Sequence, residues 1–208
     1  MRIFGAVFGT VLAGALTLAG AAGAGPVSSP DAREQLFGQE MILHPADLSM
    51  FSDKLRAHYK KVTSGMAART FLAQAKLSGI GYYGAIAVPL TSEPSLETLT
   101  IGGNAHSPGA AAAVVTGQCE KAAGEKCQVV AYLLPAGYAK RGLTLSMAAT
   151  AAFGKSFSDN VVPRYLAYSP ATAAFAVVKG KGADRVAIDT CNKDTGGRRD
   201  CVIAIADE

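Results

Sequence analysis

The sequence predicts an α+β fold, in which an N-terminal helical segment precedes two ββαβ units that share an antiparallel sheet core. Three observations lead to this prediction. Cys119 and Cys127, like Cys191 and Cys201, lie between an alanine-rich helical stretch and an apolar strand. The same order of two short strands, a helix and a further strand occurs around each pair. Before residue 80, apolar residues recur at steps of three and four, which is typical of helices.

These patterns divide the 208 residues into five parts. We expect a signal peptide, an N-terminal helical segment, a first disulfide-closed ββαβ unit, a linker helix and a second such unit, at residues 1–24, 25–80, 81–139, 140–162 and 163–208. Each unit by itself is too small to bury its sheet well, and for this reason we expect the two to share one core.

The first residues have the composition of a secretory signal. Arg2 is the only charged residue there, the stretch 3–18 is apolar or small, and Ala22–Ala24 offers small residues to a signal peptidase. The segment is also long enough for an uncleaved membrane anchor, but its glycine and alanine content favours cleavage. We therefore expect a periplasmic or secreted protein that has no membrane segment after cleavage.

Four cysteines in an exported chain predict two disulfides. Three connectivities are possible, and the repeated layout favours the local pairs Cys119–Cys127 and Cys191–Cys201. Each bridge would join the end of a helix to the start of a core strand, which is a structural role. Neither spacing is the two-residue spacing of zinc sites or thiol oxidoreductases, so we predict no metal and no cofactor.

Two helices are predicted before the first unit. The first follows Pro45 and carries one apolar stripe, formed by Leu48, Phe51, Leu55, Tyr59 and Val62. A basic cluster on this helix, interpreted as its solvated face, consists of Lys54, Arg56, His58, Lys60 and Lys61. The second helix is predicted over Met66–Leu77, and Ser78-Gly79 ends it.

The two units are predicted with the same elements in the same order. In the first unit these are the strands 83–88 and 96–101, the helix 109–119 capped by Ser107, and the strand 129–134. A linker helix over 145–153, capped by Thr144 or Ser146, is expected to end at Gly154. The second unit has the strands 165–168 and 174–178, the helix 183–191 and the strand 202–206. The first copy is about eight residues longer, which places inserts in its hairpin and helix entry.

The second unit resembles a known bacterial family. The residues that carry the resemblance are Leu166–Thr172, the helix that ends at Cys191, and the strand opening Cys201-Val202-Ile203. They resemble the exported domain of unknown function 4189, in which an Ala-Tyr-Ser-Pro turn precedes an alanine-rich helix that ends in cysteine. The match extends over 163–207, whereas the first unit departs from it at Ala87–Leu90. The resemblance implies an envelope or secreted protein and supplies no catalytic residues.

The catalytic motifs that occur in the sequence lack the flanking secondary structure they need, and we predict no catalytic residue. The stretch Gly79–Gly84 matches the dinucleotide fingerprint in letters, but a helix precedes it and a strand follows, which is the reverse of what that site needs. The best candidate binding residues are Asn104, His106 and Ser107, because they precede a helix N-terminus where a small anion can bind.

The function predicted from these observations is that of a non-catalytic binding or envelope-associated module, whose partner is an envelope protein or a small ligand. A net charge of +4 is too small to indicate nucleic acid or anionic lipid. One alternative is a small secreted hydrolase that uses His106 or His58. Another is an inhibitor or immunity protein for a cell-wall enzyme, with the predicted hairpin loop Thr91–Leu96 as its inserting segment.

Overall fold

A computed structural model describes residues 25–90 and 99–208. The α+β class is confirmed, with six helices and two antiparallel sheets in these residues. The helices are α1 (Ser29–Gln35), α2 (Asp53–Val62), α3 (Gly65–Leu77), α4 (Pro108–Ala123), α5 (Met147–Ser156) and α6 (Ala183–Lys193). The strands are β1 (Met41–Pro45), β2 (Gly84–Pro89), β3 (Thr100–Gly102), β4 (Cys127–Pro135), β5 (Arg164–Tyr168), β6 (Phe175–Lys179) and β7 (Val202–Asp207).

The first sheet has the strand order β1-β4-β2-β3 and is covered by helices on both faces. Side chains of β2 alternate between the faces, as the pleat of a strand requires. Ala85 and Ala87 contribute to the cluster beneath α4, whereas Ile86 and Val88 contribute to the cluster beneath α2 and α3. The small residues on the α4 side let that alanine-rich helix lie close to the sheet.

The second sheet has the strand order β6-β5-β7 and repeats this arrangement. Ala167 of β5 packs with Ala187 and Cys191 of α6 on one face. Leu166 packs on the opposite face with Phe153 and the C-cap residue Phe157 of α5, and α1 joins the same cluster through Ala32. Each unit therefore has its own sheet and its own two-sided core, and no strand of one sheet pairs with a strand of the other among the described residues. The shared sheet core expected from the small size of each unit is not formed, because α2 and α3 cover the first sheet and α1 and α5 cover the second.

The strand registers support the internal repeat. The pairing of β2 with β4 shifts between Ile86 and Ala87, and the pairing of β5 with β7 shifts between Leu166 and Ala167. A β-bulge at the same point of both central strands aligns Ala87 with Ala167. From these positions to the first cysteine the chain runs 32 residues in one copy and 24 in the other, so the predicted inserts lie within this stretch.

The predicted local disulfides are present in both units. Cys119 is bonded to Cys127 with a Cα–Cα distance of 6.0 Å, and Cys191 is bonded to Cys201 with a Cα–Cα distance of 6.1 Å. Each bridge connects the last turns of a helix to the start of the strand that packs beneath it, at Cys127 in β4 and just before Val202 in β7. The loops between the cysteines are thereby held against the cores.

The N-terminal segment contains two elements that the sequence did not reveal. The short helix α1 packs on the second sheet, and β1 pairs antiparallel with β4 at the edge of the first sheet. Pro45 ends this strand rather than opening a helix, because a proline at the end of an edge strand removes no required hydrogen bond. The helices predicted after it are present as α2 and α3.

Two further details differ from the predictions. Gly154 lies inside α5, which continues to Ser156, so the glycine does not end this helix. The cap prediction is confirmed for Ser146, whose Oγ accepts a hydrogen bond from the backbone N–H of Ala149 at 3.2 Å. The hairpin loop Thr91–Leu96 and the first half of the strand predicted over 96–101 lie outside the described residues. The described half of that strand contributes Thr100 and Ile101 to β3. None of the helices in residues 25–90 and 99–208 has the length and apolar character needed to cross a bilayer.

Candidate functional site

Asn104, the first predicted binding residue, connects two turns of the first unit. Its side-chain oxygen accepts a hydrogen bond from Gly81 N–H, and its side-chain nitrogen donates to the carbonyl of Gly79, both at 2.9 Å. A Cβ atom at Gly81 would lie 2.4 Å from that oxygen, which excludes any larger residue there. Of the glycines that resemble a nucleotide fingerprint, Gly81 and Gly84 therefore serve close packing, whereas Gly79 has open space around it and adopts the left-handed conformation with φ +72°.

Ser107, the second predicted binding residue, caps α4. Its Oγ accepts a hydrogen bond from the backbone N–H of Ala110 at 3.1 Å, and Pro108 occupies the first helical position. The capping role predicted for this residue is confirmed. The Ala110 N–H, one of the groups that would bind an anion at this helix start, is already bonded to the Ser107 hydroxyl.

His106, the third predicted binding residue, is buried between the two units. Only 1% of its surface is exposed, and its ring contacts Tyr168 and Phe175 edge-on. Nε2 lies 3.1 Å from the carbonyl oxygen of Ala174, and Nδ1 accepts a hydrogen bond from the backbone N–H of Ser146 at 3.1 Å. Since a carbonyl can only accept, Nε2 carries the proton.

Burial determines the charge of this ring. It lowers the pKa of His106 from 6.5 to about 4, more than the hydrogen bonds to the backbone raise it. The imidazole is therefore neutral at pH 7, and both of its nitrogens are used within the protein. In this position His106 joins the first unit to the second and to the start of α5, and it presents neither a positive charge nor a free nitrogen to an anion.

His58, the other residue of the hydrolase hypothesis, lies exposed on α2. Its ring contacts the neighbouring Tyr59 ring edge-on at a centroid distance of 5.6 Å. In the described residues the histidine hydrogen bonds are those of His106, and both go to backbone groups. A histidine that activates a serine needs a side-chain nucleophile on one nitrogen, and this arrangement does not provide it. Within the same residues, no three His, Cys, Asp or Glu side chains form a group suited to a metal ion.

A cavity lies between the first sheet and the α2–α3 helices. It has a volume of about 370 Å³, within the range of roughly 300–1,000 Å³ typical of small-molecule sites. We call it the α2–α3 cavity; it is lined by Leu43, His58, Tyr59, Val62, Thr63, Ala67, Phe71, Ile86, Val88, Leu99 and Val130. Eight of these eleven side chains are apolar, so the cavity suits an apolar molecule.

Tyr59 is the residue that distinguishes this cavity. Its side chain is 3% exposed, yet its hydroxyl group has no hydrogen-bond partner among the described residues. Burial also raises the pKa of this hydroxyl, which therefore stays protonated and able to donate. A buried hydroxyl without a partner costs about 1–3 kcal/mol. The oxygen is shielded from the cavity as well as from solvent, so this cost is one of stability.

A second cavity of about 300 Å³ lies between the two units. It is smaller and less apolar in its lining, with Gln118, Thr172 and Arg198 among its residues. The buried hydroxyls without partners among the described residues are those of Tyr59 and Tyr83, and neither residue lines this second cavity. The α2–α3 cavity is therefore the stronger candidate for a ligand site.

Sequence reasoning placed Tyr59 in the apolar stripe of a helix, which is where it lies. No pattern in the sequence predicts the cavity beside Tyr59, because its walls come from α2, α3 and four strands or strand flanks that are distant in the chain. The one available signal was a tyrosine at a position otherwise occupied by apolar side chains.

Comparison of the chain with protein-family models, curated proteins and solved structures gives no match. The resemblance of the second unit to the exported domain of unknown function 4189 therefore stays a prediction.

Proposed function

We propose that this protein is an exported, non-catalytic binding module that takes a small apolar molecule into the α2–α3 cavity. The observation that carries the proposal is the α2–α3 cavity itself, which has a volume of about 370 Å³ and takes eight of its eleven lining residues from apolar side chains. Binding sites for small molecules commonly combine such apolar walls with a few polar groups that orient the ligand.

Export is supported by the two disulfides. Disulfides persist in oxidising compartments such as the periplasm and the extracellular space, and both cysteine pairs here hold a helix to its sheet. The signal-like composition of residues 1–24 agrees with this location. A carrier or sensor of an apolar molecule in such a compartment fits these features.

A binding role is favoured over hydrolysis because the histidines are not arranged for catalysis. His106 uses both ring nitrogens within the protein, and exposed His58 lines the cavity and contacts the Tyr59 ring. Such an arrangement can hold a ligand but provides no activated nucleophile.

The test is titration of the mature protein with N-phenyl-1-naphthylamine, an apolar dye whose fluorescence rises in apolar surroundings. Ala67 is an exposed residue of α3 that lines the cavity, so the variant Ala67→Phe adds a phenyl ring to the cavity wall. We expect the native protein to bind the dye saturably and the variant to bind it at least tenfold more weakly, a loss of about 1.4 kcal/mol.

The matched control is Ala73→Phe, the same change on an exposed face of α3 outside the cavity lining. It should bind the dye as the native protein does. Equal dye binding by the native protein and Ala67→Phe, or no saturable binding by either, would refute the proposed function.

A further inference from the structure

We infer that the α2–α3 turn docks peripherally on a membrane surface that contains anionic phospholipids. The α2–α3 turn is residues 60–69, which are the end of α2, the Thr63-Ser64 connection and the first residues of α3. Its lysine and arginine side chains would meet the lipid phosphates, and Val62 and Met66 would enter the headgroup layer. Surface contact of this kind goes beyond the proposed ligand binding and takes no helix across the bilayer.

Positive charge is concentrated in the two helices that form this turn. Residues 53–77 contain six lysine and arginine residues and one acidic residue, Asp53, which is a local charge of +5. Because the whole chain carries +4, the remaining residues together carry −1. The low net charge, from which no anionic lipid is expected, therefore does not reveal that one surface is strongly basic.

The basic side chains of the turn are exposed and available to an anion. Lys60, Lys61 and Arg69 are all exposed. The ion pairs found in residues 25–90 and 99–208 involve other cations, and the nearby carboxylate of Asp53 is bonded to Arg56. A lysine or arginine side chain close to an anionic lipid surface strengthens binding about fivefold. The three charges together can therefore hold the turn at such a surface.

Two large apolar side chains lie among these charges. Val62 is 41% exposed and Met66 is 73% exposed, on the two sides of the Thr63-Ser64 connection. Exposed apolar side chains within a basic surface are typical of segments that bind at the headgroup boundary, where the cations meet phosphates and the apolar groups leave water. A nucleic acid would meet the charges alone, so the turn fits a membrane better.

The α2–α3 cavity opens at the same turn. Of its lining residues, His58, Val62 and Ala67 are exposed, so they mark its mouth, and the last two belong to the turn. Apolar molecules concentrate in a bilayer, and a cavity that opens towards it can take them up without their passage through water. The choice of a bilayer over an acidic protein rests here on the proposed binding function.

The experiment measures co-sedimentation of the mature protein with phosphatidylcholine vesicles that contain or lack phosphatidylglycerol. We expect saturable binding to the vesicles with phosphatidylglycerol, weakened by added salt, and little binding to the others. The combined variant Lys60→Gln, Lys61→Gln and Arg69→Gln should bind these vesicles about a hundredfold more weakly, at about fivefold for each charge.

A matched control removes two lysines and one arginine from other helices. The combined variant Lys121→Gln, Arg185→Gln and Lys193→Gln changes exposed positions of α4 and α6, and it should bind nearly as the native protein does. Native-like binding by the variant of the turn, or equal binding to vesicles without phosphatidylglycerol, would overturn the inference.

A second pair of variants tests the apolar contact. Met66→Ser should weaken vesicle binding about tenfold, because this side chain would no longer leave water at the membrane. The control Leu77→Ser alters a side chain that is 83% exposed and lies about 17 Å further along α3, and it should have little effect. If loss of the charges abolishes binding while Met66→Ser binds as the native protein does, the turn is an anion surface suited to an acidic protein, and the inference fails.

Dye titration separates this inference from the proposed function. Lys60, Lys61, Arg69 and Met66 are outside the cavity lining, so their variants should bind N-phenyl-1-naphthylamine as the native protein does. Ala67→Phe should lose dye binding and keep vesicle binding. Native protein that binds the vesicles but not the dye would refute the proposed function alone, and native protein that binds the dye but not the vesicles would refute the membrane contact alone.

Discussion

The Nδ1 atom of His106 accepts a hydrogen bond from the backbone N–H of Ser146 at 3.1 Å. Ser146 is the N-cap of α5, so one imidazole orients the start of the linker helix while its other nitrogen donates to the second unit. This single side chain connects three parts of the fold, and its burial gives the connection a dependence on pH.

Protein stability is expected to fall as His106 becomes protonated. Burial lowers its pKa from 6.5 to about 4, so the native state holds the ring neutral while the unfolded chain takes up a proton below pH 6.5. The stability contributed by the neutral ring is complete above pH 6.5 and is lost as the pH falls to about 4, by about 3 kcal/mol. Urea unfolding at a series of pH values measures this loss.

The variant His106→Gln isolates that contribution. The difference in unfolding free energy between native protein and variant should be largest near pH 7 and should shrink towards pH 4. His44→Gln, at an exposed position of β1, should leave the shape of the pH profile unchanged. A native profile that runs parallel to that of His106→Gln would show that the ring carries no such linkage.

Tyr59→Phe is expected to stabilise the ligand-free protein. A buried hydroxyl without a partner costs free energy, and its removal should raise the free energy of unfolding by about 1 kcal/mol. The measurement is chemical denaturation of the ligand-free protein. A comparable loss of stability, as is usual when a bonded tyrosine hydroxyl is deleted, would mean that Tyr59 has a partner within the protein.

Asp207→Asn is expected to destabilise the second unit. The Asp207 carboxylate accepts hydrogen bonds from the backbone N–H of Ser29 and from Arg164 Nε, each at 2.8 Å. Because the Arg164 side chain is only 10% exposed, the substitution leaves a buried cation with a weaker partner and should cost about 2–4 kcal/mol. The control Asp159→Asn alters a half-exposed partner of the same arginine and should cost less than about 1 kcal/mol.

The same carboxylate makes stability sensitive to acid. Burial raises the pKa of Asp207, but the hydrogen bonds from Ser29 and the charge of Arg164 outweigh this effect and lower the pKa overall. Its contribution is therefore present above the unfolded pKa, near 3.9, and is lost as the pH falls below that value. In Asp207→Asn, the free energy of unfolding should fall less steeply below pH 3.9 than it does in the native protein. Equal steepness in the two proteins would show that Asp207 does not cause this acid sensitivity.

The disulfides can be tested by mapping and by deletion. Trypsin can cleave inside both loops, after Lys121 and Lys126 in the first and after Lys193 and Arg198 in the second, so each bridge joins two separate peptides. We expect the links Cys119–Cys127 and Cys191–Cys201, and any link between the units would refute the repeated arrangement. Replacing either pair by alanine should cost about 2–3 kcal/mol in urea unfolding, given loops of this length.

Local patterns explain what could be predicted. The Ser107 cap predicted the start of α4, because this signal depends on residues within one turn. The stripe from Leu48 to Val62 predicted α2, but the helix begins only at Asp53, so Leu48 and Phe51 precede it. The strand β1 escaped prediction because its pairing with β4 joins residues that are about ninety positions apart, such as Met41 and Pro135. Gly154 was misjudged because a helix tolerates a glycine when its neighbours, such as Phe153, are anchored in a core.

The sequence by itself predicted the order of elements from α2 onward, favoured the local pairing of the cysteines and showed the repetition of one ββαβ unit. These features depend on short spacings, on the pleat of a strand and on the turn of a helix. The tertiary structure alone decided the roles of His106 and Tyr59. The partners of His106 lie 68 and 40 residues away, and the cavity beside Tyr59 has walls from separate elements. Burial and hydrogen-bond satisfaction arise from such distant contacts, and therefore only the folded chain distinguishes a structural histidine from a binding residue.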